Sequence, residues 1–195
     1  MARRNSRGFS LVELIVSLGL LGVVMTSVTG VVLSMQRGYI GQREVARAED
    51  ALRVGEMTLV TVLRMAGATP MDITASPAPG IDPNPLGAAS FNNLRVISDH
   101  NPADMDANDL LEDVLVWVQA DTMYVRWQAG QTAAPIAYPV RSLAFEYDSS
   151  GTPLTVAADI ARAANRVKVT LTAPRHPNTG ALIRRETWIH LRNRP

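Results

Sequence analysis

No cysteine occurs anywhere in the 195 residues. That excludes a disulfide framework and any thiolate metal site, so the fold must be held by packing and sheet pairing alone. Proline is missing from Phe9 to Ala66, although the whole chain carries 12, and nothing in that stretch removes a helical N–H. Charge is missing as well: Glu13 is the one charged side chain between Arg7 and Arg37. The formal net charge of the whole chain is only +1. No strong field therefore directs it to nucleic acid, and no nucleic-acid partner is expected. Catalytic patterns are absent too. There is no Gly-x-Ser-x-Gly elbow, Walker loop or paired-His metal motif. The three histidines, His100, His176 and His190, are scattered along the chain. The protein is expected not to be an enzyme and to need no cofactor.

What is present is a long apolar stretch that begins at Phe9 and reaches Met35. A bilayer core of about 30 Å needs roughly 20 apolar residues in a helix, and this stretch supplies them. A carboxylate inside such a segment costs on the order of 2.5–3.5 kcal/mol at mid-membrane, so Glu13 needs a purpose and a partner. The preceding residues are basic (Arg3, Arg4, Arg7), which orients that end to the cytoplasm. An ordinary secretory signal peptide has an apolar region of about 7–15 residues followed by a small-x-small cleavage site. Here the run is longer, and Thr26-Ser27-Val28-Thr29-Gly30, the nearest approach to such a site, lies inside it. The sharp boundary is Gly8/Phe9, which places cleavage before the apolar segment.

The string Gly8-Phe9-Ser10-Leu11-Val12-Glu13 behind a basic leader resembles the motif of the type IV prepilins. The resemblance implies that a membrane-embedded aspartyl prepilin peptidase cuts after Gly8 and N-methylates Phe9. The mature chain would then be residues 9–195, with 16 basic and 18 acidic groups and a formal charge of −2 once Arg3, Arg4 and Arg7 are removed. Glu13 lies four residues below that new terminus, about 6 Å along a helix. A neighbouring subunit staggered by this amount brings its positive N-terminal amine against the carboxylate, which removes the cost of an isolated charge and sets the axial register. Independently, a carboxylate near a helix N-terminus is favoured by the macrodipole; both roles can hold together. The chain departs from the major pilins in two places: it has no cysteine for their C-terminal disulfide, and Gly30 stands where they commonly carry proline. Gly30 is read either as a point where the helix loosens or as a small residue for close helix approach.

Five segments follow: a leader over 1–8, a membrane and filament-core helix over 9–35, an amphipathic half of the same helix over 36–66, a proline-rich loop over 67–90, and a β-sheet domain over 91–195. In the second helical half Val45, Ala48, Leu52, Gly55, Leu59, Val62 and Ala66 recur every three or four residues, an amphipathic face. Arg43, Arg47, Glu49, Asp50, Arg53, Glu56 and Arg64 are read on the opposite side. Pro70, Pro77, Pro79, Pro83 and Pro85 mark the loop. Strand patterns fall over 94–98, 114–119, 123–128, 142–147, 166–172 and 183–191, with Ala120-Asp121-Thr122 as a hairpin connector. Residues 158–165 read as a short helix or a loop. The expected fold is α+β, the type IV pilin fold: a long N-terminal helix laid on an antiparallel sheet.

The layout of Phe145-Glu146-Tyr147-Asp148, the Gly151 turn, Arg166-Val167-Lys168-Val169-Thr170-Leu171-Thr172 and Leu191-Arg192-Asn193 is similar to the C-terminal half of PilW-type minor pilins, and the J-type pseudopilins of type II secretion share it. The expected role is a minor pilin in a priming or tip complex. A J-type pseudopilin, or a bitopic membrane-anchored binding domain, stands as the alternative. The presence of Glu13 suggests a subunit that docks beneath another. Expected partners are the prepilin peptidase, other minor pilins and the major pilin, the inner-membrane assembly platform and membrane lipid. The expected location is the inner membrane, single-pass with a periplasmic domain, then the pilus base or tip. Asp104, Asp106 and Asn108 have the spacing of a calcium loop, but Asp109 replaces its glycine and Leu115 its final glutamate, so a solvated acidic turn is preferred. Trp117, Tyr124, Trp127 and Trp188 are read as core residues, with a docking face as the alternative. Arg184, Arg185, Arg192 and Arg194 are read as a solvated edge.

Overall fold

The computed structural model describes residues 10–66, 80–87, 92–99, 109–175 and 180–191. The chain divides into two compact units, Met1–Arg43 and Glu44–Pro195. Helix α1 (Leu11–Met65) is 55 residues long, as a stretch free of proline and rich in Leu, Val and Met allows.

In the first unit α1 runs unbroken through Gly19, Gly22 and Gly30. Around each of these glycines the space where a Cβ would sit is open. Four hydroxyls in this apolar stretch are satisfied within the helix. Ser17 donates to the Leu14 carbonyl at 2.9 Å, Thr26 to Gly22 at 2.8 Å, Ser27 to Val23 at 3.0 Å and Thr29 to Met25 at 2.8 Å. Back-bonding of this kind is what lets Ser and Thr sit in a segment without water. Near its end the Arg43 guanidinium lies over the Tyr39 ring, 5.7 Å from the centroid.

In the second unit the amphipathic pattern forms the expected stripe. Ala48, Leu52, Gly55, Leu59, Val62 and Ala66 are buried, joined by Ala51 and Leu63, while Val45 is half-buried. Glu56, read as solvent-facing, instead reaches β9 (Leu182–His190): its carboxylate accepts from Thr187 Oγ1 and pairs with Arg185. The i,i+4 pattern could not show a strand that arrives from 131 residues downstream in sequence.

The stripe packs on two antiparallel sheets rather than one. The first is β1 (Gly80–Asp82), β2 (Asn93–Ile97), β3 (Asp113–Gln119), β4 (Thr122–Arg126) and β5 (Ala134–Ala137) in simple sequence order. The second contains β6 (Ser142–Ser149), β7 (Thr152–Leu154), β8 (Arg166–Pro174) and β9 in the order β7-β6-β8-β9. Helix α2 (Ala157–Ala163) sits between β7 and β8 in the chain, where a helix or loop was expected, and buries Ile160. The six strands expected from alternation are all present; β1, β5 and β7 were not expected. Each has only three or four residues and carries Gly80, Pro135 or Pro153, so none shows a period. β1 falls inside the 67–90 segment read as loop. The β3–β4 connector is the two residues Ala120 and Asp121, both at positive φ (48° and 57°), the geometry of a type I′ turn; Thr122 already belongs to β4.

Alternation on each strand sends one face to the shared core. Val114 and Val116 of β3, Met123 and Val125 of β4, Leu143, Phe145 and Tyr147 of β6, and Val167, Val169 and Leu171 of β8 join the helix stripe in one cluster. The two sheets meet where β2 and β3 lie beside β6. At Gly55 a Cβ would lie 3.1 Å from Met123 Sδ of the first sheet and 3.3 Å from Leu171 Cδ1 of the second. The helix therefore touches both sheets at one residue with no side chain.

The opposite faces are polar but organised. On the first sheet Arg95 donates to both Asp113 oxygens at 2.7 Å, and Arg126 Nη2 lies 3.7 Å from the same carboxylate. The hydrogen bonds to Asp113 raise the Arg95 pKa further. Leu115 sits directly between the two arginines in the cross-strand register and is buried. On the second sheet Lys168 bridges Glu146 at 3.5 Å and Glu186 at 3.2 Å. The Asp148 carboxylate caps the β6–β7 turn. It accepts from the Gly151 N–H at 2.8 Å and from Arg166 Nη2 at 2.7 Å, and these contacts hold its pKa below the ordinary value.

Two predictions follow from this packing. Gly55→Leu forces an isobutyl group between Met123 and Leu171 and should destabilise the domain by about 1–3 kcal/mol, the range for overpacking, read as a lower urea midpoint. An unchanged midpoint contradicts the close approach. Because the folded Asp148 pKa is depressed, its contribution is fully present above the ordinary value of 3.8 and is lost as pH falls below that value. Asp148→Asn should therefore flatten the decline of unfolding free energy below about pH 4. An acid limb as steep as wild type would remove Asp148 from the account.

Candidate functional site

The residues that set this chain apart lie at the start of α1. Ser10 immediately precedes the helix, and its Oγ accepts the backbone N–H of Glu13 at 3.2 Å. Its carbonyl accepts the Leu14 N–H at 3.2 Å, the first i→i−4 bond of the helix. Ser10 thus acts as an N-cap, and Ser10-Leu11-Val12-Glu13 has the Ser-x-x-Glu spacing of a capping box. Glu13 stands in the first turn, where the macrodipole favours a carboxylate. Among the described residues no side chain forms an ion pair with it, so a cation for Glu13 has to come from elsewhere.

Behind Glu13 every residue from 10 to 40 is exposed, and only Glu13 and Arg37 among them are charged. A continuous exposed apolar surface of this length is far beyond what a soluble monomer presents to water. The helix is long and apolar enough to cross a membrane. The hydroxyls of Ser17, Thr26, Ser27 and Thr29 bond back to helix carbonyls, and Ser10 caps the Glu13 N–H. Glu13 is the one acidic group in the stretch.

The other expected positions fall elsewhere. Gly8 and Phe9, the expected cleavage and N-methylation residues, lie outside the described residues, as do the calcium-loop candidates Asp104, Asp106 and Asn108. Among the described residues no group of three or more His, Cys, Asp or Glu is placed to hold a metal ion. His100 and His176 lie outside the described residues; His190 is exposed at the end of β9, opposite Arg166.

The aromatics divide. Trp127 packs against the core, whereas Trp117 and Tyr124, expected there, are cross-strand partners on the opposite face. Their rings stack at 5.7 Å. Trp188 is 49% exposed, with the Arg166 guanidinium 5.3 Å from its ring centroid. Alternation assigns Val114, Val116 and Val118 inward, so Trp117 is forced outward; reading aromatics as core by type alone missed this. β9 is a sheet edge, and its charges are not free: Arg184 pairs with Glu186 and Arg185 with Glu56. Arg192 and Arg194 lie outside the described residues. Ser10 was also missed as a site residue, although the Ser-x-x-Glu spacing before an apolar run is a legible signal.

Residues 3–29 match the family model of the prokaryotic N-terminal methylation motif. No curated protein matches the chain. The matched segment is the basic leader, the Gly8/Phe9 boundary, Glu13 and the apolar helix as far as Thr29. This is a type IV prepilin-like N-terminus, which implies processing by a prepilin peptidase and assembly with other pilin-like subunits. The α+β architecture, a long N-terminal helix with antiparallel sheets, is consistent with the type IV pilin fold. The apolar helix is consistent with membrane anchoring.

Membrane anchoring through this helix has a direct check. The full chain should remain in the membrane pellet after alkaline carbonate extraction. Val24→Arg places a second charge in the apolar run at about 2.5–3.5 kcal/mol and should release a large fraction to the supernatant. Quantitative release of the unsubstituted chain would rule out the anchor.

Proposed function

We propose that the protein is a minor pilin of the type IV pilus, of PilW type. In this reading prepilin peptidase cleaves between Gly8 and Phe9 and N-methylates Phe9, and the chain is held in the inner membrane with its sheet domain in the periplasm. It joins other minor pilins in a priming complex that nucleates the fibre and stays at or near the tip, over the major pilin and the assembly platform. Its work is templating, and it has no reaction of its own.

The observation that carries the reading is Glu13: one carboxylate in the first turn of an exposed apolar stretch that is otherwise uncharged as far as Gln36, behind Gly8-Phe9. A buried unpaired carboxylate is costly. The N-terminal amine of a subunit staggered by about 6 Å supplies the charge, and the requirement for pairing makes the stagger specific. An anchor for a solitary domain needs no such group. The C-terminal strands β6, β8 and β9 with the short helix α2 between them support the PilW layout, which the J-type pseudopilins share.

Two measurements test it. The mature protein should begin at N-methylated Phe9 by mass spectrometry, and Glu13→Val should leave processing and insertion intact while lowering recovery in sheared fibres about tenfold or more, since an uncompensated charge pair in an apolar medium is worth well over 1.4 kcal/mol. Deletion of the gene should abolish surface fibres and twitching with secreted enzymes unchanged. Normal fibres with blocked secretion would make it a J-type pseudopilin, and an unprocessed N-terminus would leave only an anchored domain.

A further inference from the structure

We propose that Ser10 is a positioning residue for Glu13, and that the serine hydroxyl, not the helix sequence alone, sets the height at which the carboxylate meets its partner. The inference rests on the proposed register role of Glu13 and deepens it.

The geometry is specific to this residue. Ser10 Oγ accepts the Glu13 N–H at 3.2 Å, and the Ser10 carbonyl takes the Leu14 N–H at 3.2 Å. The residue that must be placed is therefore the one whose own backbone donor is capped. Neither Leu11 nor Val12 has a side-chain acceptor, and the next hydroxyl, Ser17, is turned to the Leu14 carbonyl. Once Gly8 is cut away, Phe9 alone precedes Ser10 and has no acceptor on its side chain either. In water an uncapped N–H finds a solvent partner. In an apolar medium it does not, and the cost of leaving it bare is much larger.

The consequence is geometric as well as energetic. Fraying of one turn moves a residue by up to about 5.4 Å along the axis, nearly the whole stagger of about 6 Å that brings a neighbour's amine to Glu13. A helix start that wanders by a turn loses the register it is meant to define. The cap holds the first turn closed at the residue that carries the charge, and it uses the capping-box spacing Ser-x-x-Glu to do so.

The experiment uses the full-length protein in its host, with Ser10→Ala, Ser10→Thr, Glu13→Val and the double variant Ser10→Ala/Glu13→Val. For each, the processed N-terminus is determined by mass spectrometry, recovery in sheared fibres is quantified, and amide exchange at Glu13 is measured on the purified protein in detergent micelles. Ser10→Ala should be cleaved and N-methylated normally, show faster exchange at Glu13 and lose about fivefold in fibre recovery, the ratio expected for a lost N-cap. Ser10→Thr, which keeps the acceptor, should stay within about twofold of wild type. Adding Ser10→Ala to Glu13→Val should lower recovery no further.

Wild-type recovery of Ser10→Ala beside a defective Glu13→Val would overturn the role of Ser10 and leave the register reading standing. Wild-type recovery of Glu13→Val would overturn both. Accumulated precursor in Ser10→Ala would place the hydroxyl in peptidase recognition instead, and equal loss in Ser10→Ala and Ser10→Thr would show that size, not capping, matters. Either outcome refutes the proposal.

Discussion

The domain from Glu44 onward depends on one constraint: a single stripe of α1 must serve two sheets at once. With no cysteine in the chain, no covalent link can hold those layers together. Ala48, Ala51, Gly55 and Ala66 keep the stripe low, and Leu52, Leu59, Val62 and Leu63 fill the spaces between. Gly55 is the tightest point, with Met123 and Leu171 converging on it from different sheets. A glycine in a helix interior costs about 1 kcal/mol relative to alanine. Here close packing on two sides offsets that cost. Beside it, Glu56 ties the helix to the edge strand β9 through Arg185 and Thr187.

The sheet edges follow the same logic of protection. β5 and β7 carry Pro135 and Pro153, and β1 is three residues long. The long edge, β9, presents Arg184, Arg185 and Glu186, charges that discourage strand addition. Inward-facing residues belong to one cluster, while the outer faces hold ion pairs in register: Arg95 with Asp113, and Lys168 with Glu146 and Glu186.

Residues 10–40 obey different rules, and their exposed apolar surface is consistent with membrane anchoring. Their apolar side chains are exposed, the hydroxyls of Ser17, Thr26, Ser27 and Thr29 bond back to the helix, and Ser10 caps the first turn. Glu13 is the one acidic group of this stretch, and among the described residues no side chain pairs with it. In the proposed assembly role that carboxylate specifies a partner and a distance.

The N-terminal reading was legible because its signals are local. A leader, a Gly8-Phe9 boundary, a lone carboxylate and an uncharged run are all properties of consecutive residues. The amphipathic stripe of α1 and the six longer strands were legible for the same reason, since periodicity reports which face of an element meets a core. Ser10 is equally local, since the Ser-x-x-Glu spacing lies in consecutive residues. What tertiary structure alone decided was everything that joins distant residues. It split the expected single sheet into two and added β1, β5 and β7, too short to show a period. It turned Trp117 and Tyr124 outward and drew Glu56 to β9. The sequence by itself determined which residues avoid water. Which of them meet was settled only by folding, because contact between residues far apart in the chain is set by how layers pack and not by any pattern within a layer.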